Sequence, residues 1–273
     1  ETLAGRIHFV DMAGFTIDEL GRRAQRGLWL RGGFPNSYLA RSDTASASWR
    51  DDFIRTFLER DLPQLGILIP ATTLRRFWTM VAHYHGQTLN SSEIGASLGV
   101  AHTTVRRYLD ILSGAFVVRQ LPPWFENLGK RVVRAPKIYV RDSGLLHSLV
   151  SIASWDALES HPKLGASWEG FALEQVLRWA DSRQAYFWAT HGGAELDLLL
   201  HSRGKRWGFE FKCQDAPTMT RSIGSAIQDL GLTRVWIVYP GDQRYPVHEK
   251  VECIGLSAFP DVRRRLSSNS RQA

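Results

Sequence analysis

Asp197, Glu210 and Lys212 stand at a spacing that suits phosphate chemistry. Two strand-like stretches carry them: Glu195-Leu-Asp-Leu-Leu-Leu200 holds Asp197, and Arg206-Trp-Gly-Phe-Glu-Phe-Lys212 holds Glu210 and Lys212. His201-Ser-Arg-Gly-Lys205 between them is a hairpin signal. A turn at Arg203-Gly204 sets Asp197 opposite Glu210 and Glu195 opposite Lys212, on one face of the hairpin. Leu196, Leu198, Leu200, Phe209 and Phe211 then go to the other face as core. Two opposed carboxylates repel unless a divalent cation bridges them. Hard oxygen ligands suit Mg2+, which would stabilise charge on a scissile phosphate while Lys212 orients or activates the attacking water. The same residues also make a plain salt-bridged hairpin, with Lys212 neutralising Glu195 and Glu210 and with Asp197 solvated. A one-residue slip of register would separate Asp197 from Glu210 and remove the metal argument.

The helix expected over Ser167 to Ala180 supplies a further acid. Glu169 shares its face with Leu173, Val176, Leu177 and Ala180, where a carboxylate is costly unless it meets a partner, a cation or a water-filled cleft. Glu174 falls nearly opposite and reads as an ordinary solvated residue. A strand precedes the hairpin (Ala185 to Thr190), and a helix and a strand follow it.

Residues 71–150 read as a winged helix. Asn90-Ser-Ser-Glu93 starts a short helix to Leu98, Gly99-Val100 is a tight turn, and His102 to Leu112 is a second helix. That second helix offers His102, Thr103, Thr104, Arg106 and Arg107 outward and Val105, Tyr108, Leu109 and Leu112 inward. Short hydroxyls and arginines there suit contacts to DNA phosphates and base edges. Phe116 to Leu121 and Arg131 to Val140 supply the wing strands. Basic residues gather here: Arg106, Arg107, Arg119, Lys130, Arg131, Arg134, Lys137 and Arg141. Thr103, Thr104, Arg106, Arg107, Lys130 and Arg131 are the candidate DNA contacts; packing between domains is the blander use of the same module.

The opening stretch is mostly helical, with a capping-box signal at Thr16-Ile-Asp-Glu19 and helical spacing from Trp49 to Leu62. The chain has 273 residues, a net charge of +7 and two cysteines. That excludes a disulfide scaffold and a four-thiolate zinc site, and no apolar run is long enough for a membrane span. A soluble cytoplasmic protein is expected, and the start at Glu1 suggests a piece of a longer chain. His83-Tyr-His85 reads as surface or packing histidines, Trp124-Phe125 as a packed domain contact, and Asp142 as a helix cap.

The order helix, three-stranded meander, helix (Met219 to Leu230) and strand (Thr233 to Tyr239), with Asp197 followed by Glu210-Phe-Lys212, resembles the PD-(D/E)XK nuclease superfamily. The resemblance implies an αβββαβ domain in which Asp197 and Glu210 bind metal, Lys212 assists catalysis, and Glu169 joins them from the first core helix. Glu195-Leu196 stands where the pattern has a proline before the aspartate, and some members of the superfamily have lost cleavage. The whole chain resembles a group of prokaryotic AAA+-type ATPases. The residues that carry this are Leu3-Ala-Gly-Arg6, Gly32-Gly-Phe-Pro35, the helix-turn-helix, Pro136 to Leu145, Trp168-Glu169, Glu195-Leu-Asp197 and Glu210-Phe-Lys212. In that group a P-loop domain precedes these motifs; no G-x-x-x-x-G-K-[ST] occurs here. The resemblance therefore implies a region downstream of the nucleotide-binding core, with ATP bound only by the parent protein.

The expected fold class is a multidomain α+β and α/β chain. Residues 1–70 form the end of an ATPase core and a helical connector, 71–150 a winged helix-turn-helix, and 151–273 a PD-(D/E)XK-like αβββαβ domain. The expected function is an effector region that interacts with DNA and carries a Mg2+-dependent endonuclease site. Its partners would be DNA, its own or an associated ATPase domain, and a further protein. A catalytically inactive nuclease-like scaffold, used for DNA or protein binding and ATPase regulation, is the alternative left open.

Overall fold

The computed structural model describes residues 5–7, 12–125, 135–180 and 184–260. Lys130, Arg131 and Arg134 of the expected wing lie outside the described residues.

Local chemistry sets the ends of the first helices. Thr16 accepts from the Glu19 amide and Glu19 accepts from the Thr16 amide, the capping box expected there, and α1 (Ile17–Leu20) follows. α2 (Gln25–Arg31) ends at Gly32, whose φ is 78° and where a Cβ would lie 2.1 Å from Asp142 Oδ1, so only glycine fits. α3 is Pro35–Tyr38. Ser42 caps α4 (Asp43–Thr56), which therefore begins before the Trp49 start suggested by apolar spacing. It continues through a π-turn at Phe57–Asp61 into α5 (Leu62–Gln64).

α6 (Ala71–His83) buries Leu74, Phe77, Trp78 and Val81. β1 (Gln87–Thr88) follows. Asn90 then accepts from the amides of Ser92 and Glu93 to start α7 (Ser91–Leu98), and left-handed Gly99 ends it. α8 (His102–Gly114) buries Val105, Leu109 and Leu112. β2 (Val118–Leu121) and β3 (Lys137–Val140) complete an antiparallel sheet of order β1-β3-β2. Asp142 caps α9 (Ser143–Leu149): its Oδ1 accepts from the Leu145 amide at 2.9 Å, and its Oδ2 accepts from the Gly33 amide at 2.7 Å. One carboxylate thus starts α9 and pins the end of α2.

After α10 (Trp155–Glu159), α11 (Leu164–Trp179) packs against both α9 and the larger sheet. That sheet comprises β4 (Ala185–Ala189), β5 (Glu195–Ser202), β6 (Lys205–Phe211), β7 (Arg234–Tyr239), β8 (Arg244–His248) and β9 (Val251–Gly255). Its order is β4-β5-β6-β7-β9-β8, with β7 parallel to β6 and β9 and the remaining pairs antiparallel. α12 (Arg221–Leu230) makes the crossover between parallel β6 and β7. The fold is therefore a mixed α/β one, with helices first and a mixed sheet after. One buried cluster runs from Ile17 to Phe259, and a second lies under α12. No helix among the described residues is long and apolar enough to cross a membrane.

The β5–β6 hairpin turns at Arg203 and Gly204, both at positive φ, and pairs Ser202 with Lys205 through to Leu198 with Phe209. That is the expected register. Simple alternation then fails at Asp197. Against β4, Leu199 pairs with Tyr186 and Leu196 with Trp188, so Asp197 and Leu198 together oppose Phe187 alone. This β-bulge sends Leu196 to the α12 side with Leu199, while Leu198 and Leu200 pack on the α11 side. Leu196 does not join Leu198 and Leu200, contrary to the alternation.

Candidate functional site

Four elements converge on one acidic cluster. β5 supplies Glu195 and Asp197, β6 supplies Glu210 with Lys212 just beyond its end, α11 supplies Glu169, and β3 supplies Lys137 and Tyr139. The bulge frees Asp197 from its place in the strand ladder. Its Oδ2 accepts from the Phe211 amide at 3.0 Å and its Oδ1 faces Lys137 Nζ at 3.2 Å. Glu169 Oε1 takes the Tyr139 hydroxyl at 2.6 Å and Lys137 Nζ at 3.3 Å. Lys137 also pairs with Glu195. Lys212 Nζ lies 2.7 Å from Glu210 Oε1, and Glu210 Oε2 is buried with no hydrogen-bond partner among the described residues.

Two expectations are corrected here. Glu195 does not face Lys212: the bulge changes the spacing of side chains along β5, so Glu195 meets Lys137 and Lys212 meets Glu210. Lys137 does not belong to an exposed basic wing. It is 4% exposed, and β3 turns it into the acids.

Burial and the Asp197 charge push the Glu169 carboxyl up to about 7, against the pull of Lys137 and Tyr139. Burial and Asp197 likewise raise Glu210 to about 8, against Lys212 and Lys137. Burial opposes the charge on Lys137, but Tyr139, Glu169, Asp197 and Glu195 together outweigh it and keep the ammonium protonated. Lys212 is held charged in the same way, with Glu210 the main counterweight to burial.

Four carboxylates thus share two ammonium groups. If all are ionised, two negative charges are left over. With Glu169 raised to about 7 and Glu210 to about 8, protons fill much of that deficit near neutral pH, and a divalent cation would have to displace them. Glu210 Oε2 is a buried oxygen of this set with no hydrogen-bond partner among the described residues. Among the described residues, no three His, Cys, Asp or Glu side chains come together as a metal cage. Mg2+ does not require one, because it is commonly held by one or two carboxylates and keeps several waters. Asp197 and Glu210 are the acids of the expected pair, but both Asp197 oxygens are engaged, by the Phe211 amide and Lys137, so an ion would have to displace one of these contacts. Glu169 is engaged by Lys137 and Tyr139 through Oε1. A cavity of about 370 Å³ opens beside the cluster, lined by Gln87, Thr88, Lys137, Phe187, Thr190 and Glu195 among others.

Glu174, expected in solvent, is 2% exposed. It pairs with Arg119, whose second nitrogen lies 3.0 Å from Oε2, and with Arg141 at 3.3 Å. The physical reason is that α11 is covered on both sides, so it has no solvated face on which to put Glu174. Burial opposes its charge, yet Arg119, Arg141 and Arg178 outweigh that and hold the carboxyl below its usual range. Three members of the basic set, Lys137, Arg119 and Arg141, are therefore spent on internal acids. On α8, His102, Thr103, Arg106 and Arg107 are exposed and Thr104 is half-buried, as the helical spacing requires. Lys130 and Arg131 lie outside the described residues.

The histidine pair divides. His83 is exposed, whereas His85 is buried against Gly170, its Nδ1 accepting from the Val140 amide at 3.0 Å. Trp124 packs edge-on against Tyr186, and its amide donates to Phe187 O at 2.7 Å, joining the segment after β2 to β4. Sequence spacing gave no sign of Lys137 or Tyr139 as site residues. Their one signal, a lysine in an otherwise apolar strand (Lys137-Ile-Tyr-Val140), is legible only in retrospect.

Two family models match the chain. A domain of unknown function, DUF8612, covers residues 22–156, and a second, DUF4143, covers residues 164–259. The chain thus carries a DUF4143 domain, a kind found in AAA-ATPase-associated proteins. Among curated proteins it is similar to an uncharacterised protein of Mycobacterium tuberculosis and to one of Mycobacterium bovis. Each is 54% identical over 254 residues, 93% of this chain and 58% of the relative. The chain therefore spans little more than half the length of these relatives. No solved structure matches it.

Proposed function

We propose that this chain is the effector region of an ATPase-associated protein, a winged helix-turn-helix joined to a PD-(D/E)XK-like unit, which engages DNA and hydrolyses a phosphodiester with Mg2+. The observation that carries the reading is Glu210, 5% exposed, with one oxygen on Lys212 and the other without a hydrogen-bond partner among the described residues, in a cluster of four carboxyl and two ammonium groups. The DUF4143 match and the greater length of the relatives support the ATPase link, with nucleotide hydrolysis belonging to the parent protein. Exposed His102, Thr103, Arg106 and Arg107 on α8 support the DNA contact.

Asp197 and Glu210 would hold the ion, which supplies charge stabilisation for the scissile phosphate. Asp197 is fixed for this by the Phe211 amide and Lys137. Lys212 is a third exposed and anchored on Glu210, and its ammonium can orient a water or steady a phosphoryl oxygen. The test is nicking of supercoiled plasmid with Mg2+ or Mn2+. The wild type should cleave, and Asp197→Ala and Lys212→Ala should not. The second reading is a scaffold that binds without cleaving, and the ammonium of Lys137 between Glu169 and Asp197 favours it. Failure of the wild type to nick any substrate with either metal would establish that reading in place of the first.

A further inference from the structure

Phe116 stands where helix chemistry favours a glycine. α8 closes with a Schellman cap: the Val117 amide donates to Leu112 O at 3.1 Å, and the Phe116 amide donates to Ser113 O at 3.0 Å. The cap needs a left-handed residue at the position Phe116 fills, and its φ is 61°. Glycine takes that conformation freely, whereas a bulky side chain is strained in it. Only two other non-glycines have positive φ among the described residues: Arg203, in the β5–β6 turn, and Ser151, which is small. The fold gains little from the ring. Val117 and Leu112, the usual apolar pair of such a cap, are buried, while Phe116 is 66% exposed. Beside it the Arg141 guanidinium carbon lies 5.8 Å from the ring centroid. Arg141 is held there by its amide on Val117 O, at 3.1 Å, and by its Nε on Glu174 Oε2, at 3.3 Å. Strain kept at an exposed ring, with a fixed cation next to it, points to use by a ligand.

We propose that the Phe116 ring is a stacking platform for an unpaired nucleobase, so that the DNA engaged by α8 includes single-stranded or extruded bases. This rests on the reading of α8 as a DNA-contacting helix. The ring follows directly on that helix, which carries exposed Arg106 and Arg107. Its surroundings in the chain are small or polar: Ser113, Gly114 and Ala115 precede it, and Arg119 and Gln120 follow the buried Val117 and Val118. A lone ring in that setting offers a flat π-face, not the contiguous apolar patch of a protein interface. The charge of Arg141 beside it suits a polyanion. A base inside a duplex has both faces covered by its neighbours, so the ring can stack only on one that has left the stack.

The test is fluorescence anisotropy of the whole chain on a labelled oligothymidine and on a labelled duplex, with thermal melts of every variant. Phe116→Gly removes the ring and the strain together, so it should melt no lower than the wild type. It should weaken oligothymidine binding at least about 5-fold and leave duplex binding unchanged. Phe116→Asn, which also tolerates the left-handed conformation, should behave likewise, and Phe116→Trp should keep the wild-type affinity. Arg106→Ala with Arg107→Ala should instead weaken binding of both DNAs. Unchanged oligothymidine affinity in Phe116→Gly would overturn the proposal and leave the ring for a protein contact. An equal loss on both DNAs would overturn it as well, and so would a wild type that binds duplex alone. Lower melting of both Phe116→Gly and Phe116→Asn would show that the ring supports the fold, and would also end the proposal. A wild type that binds neither DNA would overturn the DNA reading itself.

Discussion

Glu174 shows how much a single buried charge can hold together. It sits on α11 with Arg119 from β2 and Arg141 from the turn after β3, and all three are mostly or wholly buried. Removing the acid takes a buried carboxylate from two partly buried guanidinium groups, which costs more than the pair gained when it formed. Glu174→Ala should lower the free energy of unfolding by about 3 kcal/mol, read from the urea midpoint. An unchanged midpoint would mean that water reaches the arginines. The side-chain chemistry of Glu174 gave no warning of this. On a helix with one buried stripe, its angular position points to solvent, and only the second cover on α11 reverses that.

α9 is the element that joins the parts. His147 on α9 bonds through Nδ1 to Leu30 O at 2.9 Å and through Nε2 to Ser167 Oγ at 2.7 Å, while Trp29 Nε1 donates to the same hydroxyl. Leu30 O can only accept, so Nδ1 carries the proton and Nε2 accepts from Ser167. α9 thereby ties α2 to α11 through a neutral imidazole. Burial lowers its pKa to about 4, and burial lowers His85 to about 3. Both folded values lie below the unfolded value near 6.5, so this stabilisation is complete above about 6.5 and lost as pH falls through the folded pKa. Glu169 and Glu210, raised to about 7 and about 8, have the opposite sign and lose stability as pH rises. The difference between wild type and His147→Gln isolates the imidazole. Relative to the variant, the wild type should lose stability between about pH 6.5 and 4, measured by thermal melts across that range. Parallel pH profiles would show that His147 is not neutral in the fold. The capping signals at Thr16, Asn90 and Asp142 were legible in sequence because each acts within a few residues of itself. The second bond of Asp142, to Gly33, was not, since that partner is distant in the chain.

At the scale of the whole molecule, the distribution of charge sets how DNA would be held. The net charge of +7 suggested a basic reader, but Lys137, Arg119 and Arg141 face inward, leaving Arg106 and Arg107 of the described set on the exposed face of α8. Each phosphate neutralised contributes a slope of about −0.9 in log K against log salt, so these two arginines should account for about −2 of it. Arg106→Ala with Arg107→Ala should flatten the slope by that amount in fluorescence anisotropy on duplex DNA. No change on mutation would move the contact elsewhere. The sequence alone determined the helix starts, the β5–β6 turn and its register, and the outward face of α8, because turns, caps and periodicity are local. Tertiary structure alone decided that β5 bulges at Asp197, that α11 is buried on both sides, and that Lys137 enters the acidic cluster from a strand of the smaller sheet. Those outcomes depend on which surfaces meet, and a residue's burial and its ionic partner are properties of the contact, not of the segment that carries it.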